Sequence, residues 1–277
     1  MMFQQQYYQS IIKKKPKGEG FLDEVAGAYR AFSTRLVYSD YSGYCLRITD
    51  GTNVKDIGFV NSIIDIGSIN DFISNFSPTI VTVDIWYDQS GSGRNWFRLS
   101  NGWRIWTSTD GFYTINNVPF LYANTSVSMF YTPSEYPSNL NFFYSSDFDN
   151  TETSLRNLIS ASAQTPAQSH GLISTQGSTN TTYHRNYGPP VLYKNKSLFS
   201  LSDRGDVYDL WNGAGVICEK DVDISFNWSP NDIVIGSATA GGSNGHRIND
   251  WIEFKEDMEF SKIETVSDKI NLAYNFY

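Results

Sequence analysis

Hydrophobic and polar residues alternate along most of this chain with a period of two, the spacing of a strand whose two faces meet different surroundings. The clearest case is IVTVDIWY, residues 80–87: Val81, Val83, Ile85 and Tyr87 fall on one face, and Thr82, Asp84 and Trp86 on the other. The run predicts a strand, closed by the turn-forming DQSGSGRN with Gly91 and Gly93. Similar runs lie at 44–49, 103–106, 111–115, 120–122, 127–131, 191–193, 216–228, 232–236 and 250–254, separated by Gly, Asn, Ser and Pro. Short strands without helices between them predict a sandwich rather than a parallel α/β sheet.

Three segments leave that period. Leu22, Val25, Ala26, Tyr29, Phe32 and Leu36 recur at three- and four-residue steps, which predicts a short amphipathic helix opening the domain. A second short helix is predicted near 69–76, with Ser68 and Asp71 spaced as a capping box. Val266, Ile270, Ala273 and Tyr274 predict a C-terminal helix packed on the sandwich. Residues 1–20 stand apart: three glutamines, Tyr7 and Tyr8, then KKKPKGEG carry little apolar periodicity, as expected of an arm that orders only against a partner. The domain proper is then 21–277.

Composition sharpens this picture. Aromatic residues reach 16% while charged residues reach only 18%, against about 25% charged in an average domain. Lys13, Lys14, Lys15 and Lys17 precede the first acidic residue, so a short basic tail leads an otherwise acidic body within a net charge of -8. An acidic body argues against general nucleic-acid binding, which needs clustered Lys and Arg. The lysine cluster is either a solvated charge run or a contact for an acidic surface. No 18-residue apolar run predicts a membrane span, and lysines rather than an apolar stretch follow Ile11 and Ile12, so no secretory signal is expected. Cys45 and Cys218 sit in apolar, strand-like runs and are expected as reduced core thiols. His170, His184 and His246 are far apart in different contexts, so no metal and no cofactor is expected.

One resemblance adds to the pattern. AYRAFSTRLVYSDYSGYCLRITD (28–50), DIGF (56–59) and WYDQSGSGRN (86–95) resemble a motif series of phage tail and virion proteins and, more distantly, of the arabinofuranosidase B catalytic domain. IGSATAGGSNGHRINDWIEFKEDMEFS (235–261) is similar to the closing strands of such domains. The resemblance covers about 21–122 and 230–277, with 123–229 unplaced. It implies an all-β, concanavalin-like jelly-roll sandwich, here with a short N-terminal and a C-terminal helix.

Chemistry is harder to place. A retaining glycosidase needs two carboxylates about 5–5.5 Å apart, and carboxylates are too plentiful here to select any. The adjacent cysteines that the arabinofuranosidase resemblance implies are missing, so no catalytic residue is carried over. Within the motif turn formed by Trp86, Tyr87, Asp88, Gln89, Gly91 and Gly93, Asp88 is expected to accept backbone N–H bonds rather than to catalyse. Trp96, Trp103, Arg104, Trp106 and Tyr113 could form a carbohydrate-binding surface, the rings packing on sugar C–H faces, or could be core and interface anchors.

The expectation from sequence is a non-enzymatic structural component of a bacteriophage virion, in a fibre or decoration role. It would bind polysaccharide and form a homotrimer, with Tyr7, Tyr8, Lys13, Lys14, Lys15 and Lys17 attaching it to other virion proteins. A glycoside hydrolase of arabinofuranosidase type is the alternative, and a purely architectural block a third reading.

Overall fold

The structure, a computed structural model, describes residues 19–98, 102–123, 128–131, 139–148, 156–157, 159–161, 173–174, 191–223, 233–236 and 246–277. The strands that build the sandwich are β1 (Ala28–Ser33), β2 (Leu46–Thr49), β3 (Val54–Ile57), β4 (Ile80–Trp86), β5 (Trp96–Arg98), β6 (Arg104–Thr107), β7 (Leu121–Ala123), β8 (Ser128–Tyr131), β9 (Asn139–Phe148), β10 (Ile159–Ala161), β11 (Val191–Lys194), β12 (Ser197–Phe199), β13 (Gly215–Asp223), β14 (Ile233–Gly236) and β15 (His246–Phe254). The helices among the described residues are α1 (Ile66–Phe76), α2 (Arg204–Trp211) and α3 (Phe260–Asn271).

Every pairing among these strands is antiparallel, and together they form an all-β sandwich. In one layer β1 and β7 lie along the same side of β15, followed by β9, β13, β11 and β12. In the other, β3, β2 and β4 are followed by β5 and β6, and β5 leads on to β8, β14 and β10. The layers join at one corner, where Tyr122 of β7 pairs with Arg104 of β6. Between them lies a core holding Phe32, Trp251, Tyr144 and Phe142 from the first layer and Ile48, Val81, Val83, Trp86 and Trp96 from the second. A second core covers the back of the first layer, where Phe143, Val216, Cys218, Ile252 and Phe254 meet Ile263, Val266 and Ile270 of α3 and Tyr274. The first layer is thus apolar on both faces.

The register of β4 differs from the alternation read in sequence. Leu46 pairs with Trp86 and Arg47 with Ile85, but Ile48 pairs with Val83, so Asp84 is an extra residue. Such a bulge resets the side-chain phase. Val81, Val83 and Trp86 are therefore buried, while Ile85 and Tyr87 are only half-buried. Trp86 thereby enters the core that strict alternation denied it.

The helix predicted over 22–36 is a second correction. Phe21–Val25 form a turn, with the Val25 N–H donating to the Leu22 carbonyl at 2.8 Å, and the strand β1 follows. The helical spacing misled because residues 29–37 are all buried, so apolar residues satisfy two periods at once. Gly27 at φ 92° turns the chain into β1, and the β15 edge gives that strand ladder partners that a helix could not use.

The other helices differ in detail. α1 starts three residues before the predicted segment and is capped by Asp65, whose carboxylate accepts from the Ser68 N–H at 3.1 Å, rather than by Ser68. α2 was not predicted; Asp203 and Asp206 form its capping box. α3 lies where the C-terminal periodicity placed it, with Ile263, Val266 and Ile270 buried. Both cysteines are free and buried, as expected. No helix among the described residues is long and apolar enough to cross a membrane.

Candidate functional site

Antiparallel pairing puts opposed residues on the same face, and one row across the first layer concentrates charge inside it. Leu192, Glu219, Phe142, Glu253 and Arg30 are opposed in turn across β11, β13, β9, β15 and β1. The next row on that face is Lys194, Ile217, Tyr144, Trp251 and Phe32. Two acidic side chains thus stand two strands apart, either side of Phe142, and their Cα atoms are about 10 Å from one another at ordinary strand spacing.

Their surroundings make them chemically unlike. Glu253 is bound by Arg30 through both oxygens, at 2.7 Å from Nε and 2.5 Å from Nη2, and neither side chain is exposed to solvent. Trp251 Nε1 adds a third bond at 2.7 Å. Glu253 is an ion-paired structural carboxylate. Among the described residues Glu219 has no ion-pair partner; it accepts one bond at 2.8 Å from the Tyr144 hydroxyl. That hydroxyl in turn accepts from Trp211 Nε1 at 3.2 Å, so α2 anchors it. Burial pushes the Glu219 carboxyl up to about 7, and the Tyr144 bond only partly offsets this. The Tyr144 phenol is itself pushed far up, first by burial and then by the Glu219 charge.

A carboxyl that changes protonation near neutrality, set among aromatic rings, is the arrangement acid–base chemistry needs. Because Tyr144 donates to Oε1, the carboxyl proton of neutral Glu219 resides on Oε2. Sequence reasoning missed this residue. Its one signal was an acidic residue inside the apolar run GVICEKDVD, and only the pairing with β9 reveals its partners.

The motif turn has another use. Asp88 is 3% exposed and accepts from the N–H groups of Ala31 (2.9 Å), Ser90 (2.9 Å) and Arg94 (3.2 Å), with the Ser90 and Ser92 hydroxyls on its second oxygen. Gln89 accepts from the Val37 N–H at 2.8 Å and donates to the carbonyls of Ser33 (2.8 Å) and Arg35 (3.1 Å). Gly91 and Gly93 take positive φ values that suit glycine. Trp86 is in the core, and the Tyr87 hydroxyl donates to Asp56 at 2.6 Å. The turn stitches the β4–β5 connection onto β1. A comparable lock ties the C-terminus, where Asp250 accepts from Ser33 (2.6 Å), Arg35 (3.2 Å) and Tyr274 (2.7 Å).

The aromatic surface anticipated near Trp96 is divided. Trp96 and Trp103 are 0% and 1% exposed, so no sugar can stack on them in this structure. Trp106 packs half-buried against the same core. Arg104 and Tyr113 do come together beside Tyr122, whose ring lies 4.2 Å from that of Tyr113 and which pairs with Arg104. Burial and the Asp110 carboxylate hold the Tyr113 phenol up at about 12. Tyr7, Tyr8, Lys13, Lys14, Lys15 and Lys17 lie outside the described residues, as do His170, His184 and the His246 side chain. No cluster of metal-binding side chains gathers among the described residues.

No protein-family model and no curated protein matches the chain. Solved structures do. An arabinofuranosidase complexed with arabinofuranosyl-α-1,2-xylobiose matches with a TM-score of 0.50 at 12% identity. A mutant of a GH54 α-L-arabinofuranosidase soaked with 4-nitrophenyl α-L-arabinofuranoside matches with 0.51 at 13%. Each match covers 89% of this chain but 63% of the arabinofuranosidase, so this chain spans less than two thirds of their length. At such identity the likeness is one of fold.

This corrects the expectation of a non-enzymatic domain: these two solved proteins, which share the fold, are arabinofuranosidases. The distant arabinofuranosidase resemblance is supported. Neither of these structures is a virion protein, and nothing in them supports the phage side of the resemblance.

Proposed function

We propose that the chain is a glycoside hydrolase of arabinofuranosidase-like type, with Glu219 as its acid–base residue. The observation that carries this reading is the Glu219 carboxyl, pushed up to about 7 and held by Tyr144, in a fold shared with arabinofuranosidases. Cleavage of a glycosidic bond needs a carboxylic acid that protonates the leaving oxygen, and a raised carboxyl keeps that proton at neutral pH. Once the proton has left Oε2, the Tyr144 hydroxyl on Oε1 stabilises the carboxylate until a water or hydroxyl returns one.

A second carboxylate is required. Glu253 is excluded because both its oxygens are engaged by Arg30. Asp147 and Asp223 stand five and four residues along their strands from the level of Glu219, about 13–17 Å away, too far to be its partner in this structure. Glu219 is 2% exposed, so substrate has to open a path to it.

Release of 4-nitrophenol from 4-nitrophenyl α-L-arabinofuranoside, and of arabinose from arabinose-bearing polysaccharides, tests the reading. Wild-type hydrolysis lost in Glu219→Gln with the fold intact is the expected result. A folded Glu219→Gln that hydrolyses as well as wild type, or a wild type silent on every furanoside offered, sinks it.

Placement on a virion, trimerisation, and attachment through residues 1–20 form a separate proposal, motivated by the resemblance and the basic arm alone. Deleting residues 1–20 should leave a folded domain that fails to join particles.

A further inference from the structure

On the far side of the motif turn, three chain segments converge around a hollow of about 460 Å³, within the range of about 300–1,000 Å³ usual for small-molecule sites. Ala26–Ala28 form one wall, Tyr38 and the loop 40–43 a second, and Gln89–Gly91 the third. The walls are tied in place by Gln89, as described, and by Asp23, which accepts from the Ser39 N–H at 2.7 Å. The hollow is therefore preformed.

Three of its lining hydroxyls, on Tyr38, Tyr41 and Ser90, have their protons committed to the protein, and Ser42 adds a further hydroxyl. The Tyr38 hydroxyl donates to the Val25 carbonyl at 3.1 Å and the Tyr41 hydroxyl to the Tyr44 carbonyl at 2.8 Å, which leaves the Tyr41 oxygen as an acceptor, while the Tyr38 oxygen also faces the Ala28 N–H. The Ser90 hydroxyl proton is shared between the Asp88 carboxylate at 2.9 Å and the Tyr29 carbonyl at 3.3 Å. Among the described residues Asp40 is the one charged side chain in the lining, it is exposed, and no described cation pairs with it. The neighbouring cations are engaged elsewhere: Lys255 and Arg94 lie 4.0 and 4.4 Å from the Tyr29 ring centre, and Lys262 pairs with Glu256. The local field is negative, since Asp88, Asp23 and Asp40 all add to the burial that pushes the Tyr38 phenol to about 12.

We propose that this hollow binds a small organic ammonium, of about the size of an amino sugar. The Asp40 carboxylate would take the charge, the phenol and serine oxygens would accept the remaining N–H and O–H donors, and the rings of Tyr38 and Tyr41 would meet the apolar faces. The site shares no residue with the Glu219 cluster.

Titration calorimetry of the full chain with glucosamine tests this, with glucose as its uncharged counterpart, at a pH where the amine is protonated. Saturable glucosamine binding is expected, with glucose weaker by about tenfold, the equivalent of one modest charge contact. Asp40→Asn should lose a similar factor, Tyr41→Leu should also weaken binding, and Glu219→Gln should leave it unchanged. Equal binding of the two sugars overturns the proposal. So does an absence of saturable glucosamine binding, an unchanged affinity in folded Asp40→Asn, or loss of binding in Glu219→Gln.

Discussion

Tyr144 lies stacked on Trp251, ring centres 5.2 Å apart and planes 16° from parallel, and each ring donates to a different buried carboxylate. Tyr144 serves Glu219 and Trp251 serves Glu253. One stacked pair thus orients two acids whose chemistry differs because only Glu253 has an arginine across the strand.

Glu219 should make stability depend on pH. Its folded value of about 7 stands above the ordinary 4.5, so the folded state holds a proton that the unfolded chain has released between those values. The stabilisation is complete below about 4.5 and is lost as pH rises to about 7, an amount of order 3 kcal/mol for a buried group. Thermal melts of wild type should fall across that window, and those of Glu219→Gln should be flatter. Parallel curves would show that Glu219 does not titrate there.

Breaking the Arg30–Glu253 pair on one side should cost about 3–5 kcal/mol, because a buried charge is left without its partner. Arg30→Met and Glu253→Leu are each expected to unfold at much lower denaturant, while the double variant recovers most of the loss. Denaturant melts of the four proteins measure the coupling directly.

Asp88→Ala should cost about 3 kcal/mol, since the Ala31, Ser90 and Arg94 N–H groups lose their acceptor. Asp88→Asn, which keeps one carbonyl oxygen, should lose less. Specific activity per folded molecule on a furanoside should be retained in both, in contrast to Glu219→Gln. Loss of turnover without loss of stability would move Asp88 into the catalytic machinery.

Neither thiol should react while the protein is folded. Burial pushes the Cys45 and Cys218 thiols well above their usual range, and the thiolate is the reactive form. A thiol reagent should label both promptly in denaturant and neither at a comparable rate without it. Fast labelling of the folded protein would show that one strand face opens.

Local sequence determined some elements and missed or misread others, among them α2 and β1. Alternation found the strands around Val81 and Val83, the spacing of Val266 and Ile270 found α3, and DQSG carried its own turn chemistry. Each of these depends on neighbours a few residues away. Tertiary structure decided the rest. The bulge at Asp84 exists only through pairing with Leu46–Thr49, and it sent Trp86 inward. β1 became a strand because β15, more than two hundred residues later, supplied its ladder. Glu219 became a candidate acid because the pairing of β13 with β9 buried it without a described cation, beside a Tyr144 hydroxyl that Trp211 of α2 holds in place. A period along the chain reports which face of an element avoids water. It does not report which distant strand lies alongside, and that neighbour decides whether a buried charge is paired, neutral or excluded.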